Sequence, residues 1–174
     1  MIAYRHTDRR FPFLWEDADQ PAARWHAAGE GPVHYLADSP DGAWAQFLRH
    51  EGITDLADLD GIDRALWAID IGDPALAAPH LPRRVLRGGI DTYPRCRTAA
   101  QRIRRTGTAG LRAPSAALVD GGAGGWRVAG GLVRGPARTG ETIVLFGRRP
   151  DLVGWCATAG GRPPDWVLHR TVAL

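Results

Sequence analysis

Several side chains in the first 50 residues have the chemistry to bind an anionic ligand. Arg5 and Arg24 carry guanidinium groups, which recognise phosphates and carboxylates through paired hydrogen bonds. Tyr35 lies at the end of a predicted strand before a turn, where its ring can stack on a heterocycle or its hydroxyl can donate a hydrogen bond. Each residue alone also fits an ordinary surface charge or core aromatic. Together they are compatible with a phosphorylated ligand.

Other well-known catalytic patterns are absent from the sequence. The spacings of His6, His34, His50 and His169 match no metal site or catalytic triad, so we assign the histidines no catalytic role and predict no metal. No serine lies in a G-x-S-x-G context. The glycines from 121 to 135 lack the spacing of a dinucleotide fingerprint and precede no Lys-Ser or Lys-Thr pair, which excludes a P-loop.

The composition is that of a globular domain. A chain of 174 residues of which 44% are apolar can bury a sizeable core, and we predict a single domain over residues 1–174. All 22 basic residues are arginines, and the net charge of +3 is only mildly basic. This charge permits phosphate recognition without requiring it.

A cytoplasmic location is predicted from features that the sequence lacks. No apolar stretch approaches the ~20 residues of a membrane span, and the N-terminal segment carries charges instead of an export signal. Cys96 and Cys156 form neither a disulfide framework nor a CxxC motif. We therefore expect two buried thiols in a reducing cytosol, and no membrane contact.

A strand and a following helix are predicted to position the central polar residues. The run from His34 to Ala37 predicts the strand, and Ser39 with the proline after it predicts a helix start. Gly52 predicts its end. The apolar face of this helix consists of Ala43, Trp44, Phe47 and Leu48. Gln46 then lies near the edge of that face.

The rest of the chain predicts a mixed sheet with a few packed helices. A second helix is predicted from Tyr93 to Thr106, with arginines 95, 97, 102, 104 and 105 largely facing solvent. Further strands are predicted at Leu66 to Ile71, Arg112 to Val119, Thr142 to Phe146 and Trp166 to Val172, with a mobile hairpin or loop from Gly121 to Gly135. Because the order is not a regular βαβ alternation, we predict an α/β protein of the α+β kind, not a doubly wound nucleotide fold.

Five short motifs follow one another in a recognisable order. They are Ala3-Tyr4-Arg5, Arg24-Trp25 with Gly29 after it, Tyr35 to Pro40, Ala43 to Gln46, and Ala113 to Ala117. In this order they resemble the RES domain, a family named for an arginine, a glutamate and a serine. The resemblance runs from Ala3 to about Phe146 and is most specific from Tyr35 to His50.

The resemblance implies a fold similar to ADP-ribosyltransferase toxins, with a cleft that binds NAD as substrate and no separate cofactor. It implies scission of the bond between nicotinamide and ribose, by an NAD hydrolase, an NAD phosphorylase or a transferase of ADP-ribose to a protein. The family is commonly neutralised by an Xre-type helix-turn-helix antitoxin that blocks the active site. Such an antitoxin is the expected partner, and a homodimer is left open.

The resemblance also implies a role for each matching residue. Arg5 and Arg24 would contact the pyrophosphate or the nicotinamide ribose, Tyr35 would stack on or orient the nicotinamide side, and Ser115 would hydrogen-bond within the cleft. Cleavage builds positive charge on the ribose, so a negative group or oriented dipole near it would favour the transition state. Ser115 also fits a turn in which its hydroxyl caps its own backbone.

The expected negative group is a glutamate eleven residues after the tyrosine, and this position is Gln46. Glutamine can bind a ribose hydroxyl but supplies no charge. Three explanations stay open: an inactivating substitution of an enzyme, a member that binds without efficient turnover, or an acid supplied from elsewhere. Asp38 and Glu51 are the substitutes considered from the neighbouring sequence.

Three functions remain as alternatives at this point. The first is a toxin that degrades NAD or transfers ADP-ribose, and the second is a non-catalytic binder of NAD or a related nucleotide. The third is a nucleic-acid-binding module on the arginine-rich helix from Tyr93 to Thr106. A solvated helix face explains those arginines without a ligand, and no nucleic-acid motif accompanies them. We therefore expect no direct contact with nucleic acid.

Overall fold

A computed structural model describes all residues from 1 to 174 and contains one seven-stranded sheet. Its strands are β1 (Ile2–Asp8), β2 (Val33–Ala37), β3 (Arg64–Asp70), β4 (Leu76–Ala77), β5 (Gly110–Pro114), β8 (Glu141–Phe146) and β9 (Val153–Gly161). Their order is β4-β5-β8-β2-β1-β3-β9, and only the pairing of β4 with β5 is parallel. The predicted mixed sheet is confirmed.

A separate two-stranded hairpin stands apart from this sheet. It consists of β6 (Trp126–Val128) and β7 (Leu132–Arg134), which pair antiparallel. The glycine-rich stretch from 121 to 135 therefore forms a hairpin, which was one of its two predicted forms. Gly130 and Gly131 have positive φ at the turn, a conformation that favours glycine.

Helix α1 (Pro40–Glu51) has the predicted ends and the predicted buried face. The Ser39 hydroxyl accepts a hydrogen bond from the Gly42 N–H at 3.1 Å, and Gly52 ends the helix in the left-handed conformation. The apolar face packs against residues from the 117–123 segment and from α4 (Asp165–Leu168). This packing holds Gln46 at a fixed place beside the sheet.

Helix α3 (Tyr93–Arg105) follows the short helix α2 (Arg83–Leu86) and packs Cys96 and Ala100 on the sheet. The prediction that its arginines face solvent is wrong for two of them. The Arg97 Nε donates to the Ala23 carbonyl at 2.8 Å, and Arg104 donates to the Glu30 carbonyl at 2.6 Å. These bonds fasten the segment that carries Arg24 to the helix.

Two other predicted elements differ from the structure. The segment from Trp166 to Val172 is not a strand, because Asp165–Leu168 forms α4 and only Thr171 makes an isolated bridge, to Leu118. The strand predicted from Arg112 to Val119 ends at Pro114, where a turn follows. Cys96 is buried as expected, but Cys156 is exposed because it lies on the edge strand β9.

Strands β1 and β2 share a single residue pair, Tyr4 with Ala37. On its other side β1 pairs with β3 along its whole length, from Ile2 to Asp8. Past Tyr4, the edge of β1 that faces β2 therefore has no strand partner, and the two strands diverge. The Val33 N–H bonds to the Gln20 side chain at 2.8 Å. The divergence leaves a gap in the middle of the sheet.

No helix of the structure combines the length and the apolar character needed to cross a membrane.

Candidate functional site

A cavity of about 1120 Å³ opens where β1 and β2 diverge. Four consecutive β1 residues, from Arg5 to Asp8, line it together with Tyr35 of β2 and Gln46 of α1. Consecutive strand residues point to opposite faces of a sheet, so the cavity receives both faces of β1 and its unpaired edge. This volume is at or above the upper end of the roughly 300–1,000 Å³ of typical small-molecule sites.

Positive charge dominates the wall of the cavity. Five arginines line it and none forms an ion pair: Arg5, Arg24, Arg49, Arg64 and Arg149. The eight arginines that do pair with carboxylates all lie outside the wall. Concave sites lined by one sign of charge attract ligands of the other sign. The cavity is therefore suited to an anion.

Arg24 is held by the protein itself. Its guanidinium donates to the carbonyls of Val85, Leu86 and Gly88, at 3.3, 3.2 and 2.6 Å, and lies 4.6 Å from the centre of the Tyr93 ring. Arg49 donates to the same Gly88 carbonyl at 3.0 Å. These bonds fix the walls of the cavity, so the main task of Arg24 in this structure is to position neighbouring segments.

Arg5 differs from Arg24 because its side chain makes no hydrogen bond to the protein. Its Nη1 is buried without any partner, although a buried polar group without one costs free energy. Burial, with Arg64 as a second cause, lowers the pKa of Arg5 to about 10. The group stays a cation at neutral pH and is free to bind a ligand.

Tyr35 offers its ring to the cavity while its hydroxyl is occupied. The hydroxyl accepts from the Trp25 N–H at 2.9 Å and lies 3.0 Å from His26 Nδ1. Because burial lowers the pKa of His26, the ring is neutral and Nδ1 can accept the tyrosine proton. Burial also raises the pKa of Tyr35. These contacts favour stacking over hydrogen bonding as the way in which Tyr35 meets a ligand.

His6 and Arg64 form a bonded pair in the wall. The Arg64 Nε can only donate, so His6 Nδ1 accepts at 3.1 Å, and the His6 proton lies on Nε2. Burial, followed by repulsion from Arg64 and Arg5, lowers the pKa of His6 to about 3. Phe47 lies against both groups, 4.9 Å from the His6 ring and 4.8 Å from the Arg64 guanidinium. Arg64 is thereby fixed on the cavity wall without a counter-ion.

Gln46 is oriented by two hydrogen bonds. Its amide nitrogen lies 3.1 Å from the Thr142 hydroxyl and 3.4 Å from the Leu36 carbonyl. The carbonyl can only accept, which assigns the nitrogen to that side. The amide oxygen bonds no protein group and is free to accept a hydrogen bond from a ligand hydroxyl.

Asp8 and Glu16 supply the two carboxylates of the cavity wall. The Asp8 carboxylate accepts two hydrogen bonds from the Arg10 side chain, which lower its pKa. Glu16 accepts from the Arg149 N–H at 3.0 Å and lies 3.1 Å from His34 Nε2. Asp38 and Glu51, the two acids considered as substitutes from the sequence, do not line the cavity. Neither can replace the carboxylate that Gln46 lacks.

Ser115 does not reach the cavity wall, although its neighbours Pro114 and Ala116 do. Its hydroxyl is buried and accepts from the N–H groups of Ala117 and Leu118, at 3.2 and 3.3 Å. This is the turn arrangement named as its alternative role. Of the five predicted site residues, the structure brings together Arg5, Arg24, Tyr35 and Gln46.

Sequence reasoning did not single out several residues of the wall. Arg64, Arg149 and Trp15 line the cavity, but no local pattern marks them. Arg64 reaches the site only because β3 pairs with β1, where it lies opposite Asp8. His6, to which the sequence assigned no catalytic role, also lines the cavity and bonds Arg64 through Nδ1.

Comparison with known proteins gives the family of the chain. A family model of the RES domain matches residues 2–169. The chain belongs to the RES domain family. The resemblance of the sequence motifs is confirmed by this match, which extends beyond Phe146 to the last helix. No curated protein matches the sequence.

A solved structure supports the same fold. A chain from the crystal structure of the M. tuberculosis MbcT–MbcA toxin–antitoxin complex matches with a TM-score of 0.57. The two sequences are 18% identical, and the match covers 91% of this RES domain chain and 84% of the other. At this identity the likeness concerns the fold, and it confirms the predicted α/β class.

Replacing Arg5 and replacing Arg24 with an uncharged residue should change the stability of the protein differently. Arg24→Met leaves buried carbonyls without donors, so we expect the free energy of unfolding to fall by about 2–4 kcal/mol. Arg5→Met removes a buried cation without a partner, so stability should stay the same or rise. Urea denaturation of both variants measures the difference. Equal losses of stability would contradict the division between a structural and a ligand-binding arginine.

His6 predicts a pH dependence of stability. Its pKa is 6.5 when unfolded and about 3 when folded, so between these values the unfolded chain binds more protons. The stabilisation is complete above pH 6.5 and is lost as the pH falls toward 3. In this range His6→Asn should lose stability less steeply than the wild type, by up to about 1.4 kcal/mol per pH unit. Urea denaturation at a series of pH values tests this, with His169→Asn, at an exposed position, as control. Equal slopes for His6→Asn and wild type would refute it.

Proposed function

We propose that this RES domain protein binds NAD in the cavity, cleaves the bond between nicotinamide and ribose, and acts as the toxin of a toxin–antitoxin pair. The observation that carries the proposal is that arginines without counter-ions share one cavity with Tyr35 and Gln46. NAD has the complementary parts, namely an anionic diphosphate, a flat nicotinamide ring and a ribose with hydroxyl groups. Membership of the family supports the same proposal.

The diphosphate is assigned to Arg5 and Arg64. Both lie in the wall without a carboxylate partner, on neighbouring strands, and the Arg5 side chain makes no hydrogen bond to the protein. A diphosphate would supply the missing acceptors and counter-charge. Arg24, which the sequence suggested for the same contact, has most of its donors occupied by carbonyls, so we propose a positioning role for it.

The nicotinamide side is assigned to Tyr35 and Gln46. The Tyr35 ring can stack on nicotinamide, and the free amide oxygen of Gln46 can accept a hydrogen bond from a ribose hydroxyl. When the bond breaks, its electron pair leaves with nicotinamide, which becomes neutral, and the ribose carbon becomes positive. The acceptor then adds to that carbon and releases a proton. Water, phosphate or a protein group can serve as the acceptor.

Gln46 limits the reaction. Its oxygen dipole can face the positive ribose carbon, but it lacks the charge of a carboxylate, and loss of one such group typically costs about 10²- to 10³-fold in rate. The second candidate function is therefore a non-catalytic binder of NAD. It is favoured by the bond from the amide nitrogen to the Leu36 carbonyl, which a carboxylate cannot make.

We also propose an antitoxin partner, because the structural neighbour comes from a toxin–antitoxin complex. An Xre-type helix-turn-helix protein in the cytoplasm is our expectation for that partner. Nucleic-acid binding by α3 is less well supported, since Arg97 and Arg104 are bound to carbonyls of the 23–30 segment.

Gln46→Glu tests the proposed reaction. We expect this variant to consume NAD and release nicotinamide about 10²- to 10³-fold faster than the wild type, because a carboxylate stabilises the positive ribose. The Thr142 hydroxyl, 3.1 Å from the amide nitrogen, can donate to the new carboxylate. Nicotinamide release, measured with and without phosphate, follows the rate and distinguishes phosphate from water as acceptor.

Gln46→Met is the matched control, because it keeps the length of the side chain and removes both hydrogen-bonding groups. It should be no more active than the wild type. If the glutamate variant binds NAD and does not cleave it, the binder is the correct function. If neither form binds NAD, both proposed functions are wrong.

A further inference from the structure

An aromatic segment from Phe11 to Trp15 forms part of the cavity wall, and most of its side chains are already in contact with the protein. Phe13 packs on Trp67, with ring centres 5.3 Å apart, and Leu14 is buried. The Arg10 guanidinium lies 5.7 Å from the centre of the Phe11 ring. These contacts explain why the segment lies against the sheet. None of these contacts involves the side chain of Trp15.

Trp15 is fixed through its backbone, and its ring is left free. Its carbonyl accepts from the Gln20 amide at 2.6 Å, and the carboxylate of the next residue, Glu16, accepts from the Arg149 N–H at 3.0 Å. The side chain lines the cavity, is 49% exposed, and stacks with no aromatic ring or guanidinium. A rigidly held and unpaired indole has the properties of a stacking surface.

The segment of Trp15 and the side chain of Gln46 contact β2 at different places along the strand. The segment of Trp15 is tied to the beginning of β2, through Gln20 to Val33 and through Glu16 to His34. Gln46 contacts Leu36, near the end of the same strand. With a rise of about 3.3 Å per strand residue, these attachments are roughly 7–10 Å apart, which places Trp15 toward the Val33 end of β2 and Gln46 toward the Leu36 end.

Cationic groups lie next to Trp15 as well. Arg149, whose backbone bonds to Glu16, lines the cavity; its Nη2 donates to the Ala109 carbonyl at 2.8 Å, and its Nε is buried without a partner. Arg5 lies on the opposing strand β1 and also lacks partners. An aromatic surface beside guanidinium groups that have no counter-ion suits a base that carries phosphate.

We propose that Trp15 is the stacking platform for the adenine base of NAD, at the end of the cavity away from Gln46. The inference rests on the proposed function, which places nicotinamide at Tyr35 and Gln46 and leaves the second base for the other end. Trp15 thereby makes the site selective for a dinucleotide over a nicotinamide mononucleotide.

Isothermal titration with three ligands tests the platform. ADP carries adenine and a diphosphate, nicotinamide mononucleotide lacks adenine, and NAD contains both halves. Trp15→Ala should weaken binding of ADP and NAD alike by about 5- to 150-fold, the range given by stacking on one aromatic ring. Binding of nicotinamide mononucleotide should not change. Trp15→Phe, which keeps a ring, should restore most of the affinity.

Trp126→Ala is the matched control, since Trp126 is 44% exposed and lies on the β6–β7 hairpin outside the cavity. It should bind all three ligands as the wild type does. Unchanged ADP binding in Trp15→Ala overturns the platform, as does an equal loss for nicotinamide mononucleotide. If the wild type does not bind ADP while Gln46→Glu cleaves NAD, the platform is wrong and the proposed function stands. If ADP binding depends on Trp15 but Gln46→Glu does not cleave NAD, the platform is supported and the proposed reaction is wrong.

Discussion

β1 and β2 share only the pair of Tyr4 with Ala37, so the backbone groups of both strands past that pair need partners other than each other. On β2 the Val33 N–H donates to the Gln20 side chain, and the Tyr35 hydroxyl accepts from the Trp25 N–H, which ties the segment before β2 to the strand. On β1 the edge faces the cavity from Arg5 to Asp8. The connection between β1 and β2, which carries Trp15, Arg24 and Trp25, folds against the walls of the gap. Continued pairing of the two strands would close the site.

The electrostatics of the protein follow from the same gap. The arginines that pair with carboxylates all lie outside the cavity, whereas those in the cavity contact carbonyls, rings, a neutral histidine or no protein group. Arg24 and Arg49 use their charge to hold loops together around the Gly88 carbonyl. Arg5 has no such use, and its burial without a partner is unfavourable for the folded state. We expect an anion that binds next to Arg5 to offset this unfavourable free energy, because it supplies the missing acceptors and the counter-charge.

Local sequence signals account for the helices and for part of the site. Ser39 and Gly52 bounded α1, and its apolar spacing placed Gln46 beside the sheet as the structure has it. The motif resemblance grouped Arg5, Arg24, Tyr35 and Gln46, which do meet in one cavity. Ser115 belonged to the same motifs, yet its hydroxyl caps a turn, because a Pro-Ser-Ala-Ala run fits a turn as well as a site.

The remaining features depend on long-range pairing, which local patterns do not encode. β1 and β9 were not foreseen as strands because β1 has polar residues at most positions and β9 is rich in glycine and alanine. Arg64 enters the site through the register of β3 on β1, and Arg149 through a backbone bond to Glu16. The segment from Trp166 to Val172 has strand-like composition, but the proline-capped turn of α4 packs Val167 and Leu168 into the α1 core instead.

The most direct test of this account is a crystal structure of the chain, with Gln46 unchanged, grown with NAD. The account predicts that NAD occupies the gap between β1 and β2, with the diphosphate on Arg5 and Arg64 and the nicotinamide ring against Tyr35. The nicotinamide ribose should bond to the amide oxygen of Gln46. NAD bound elsewhere on the surface, or an empty gap at a saturating concentration of NAD, would contradict it.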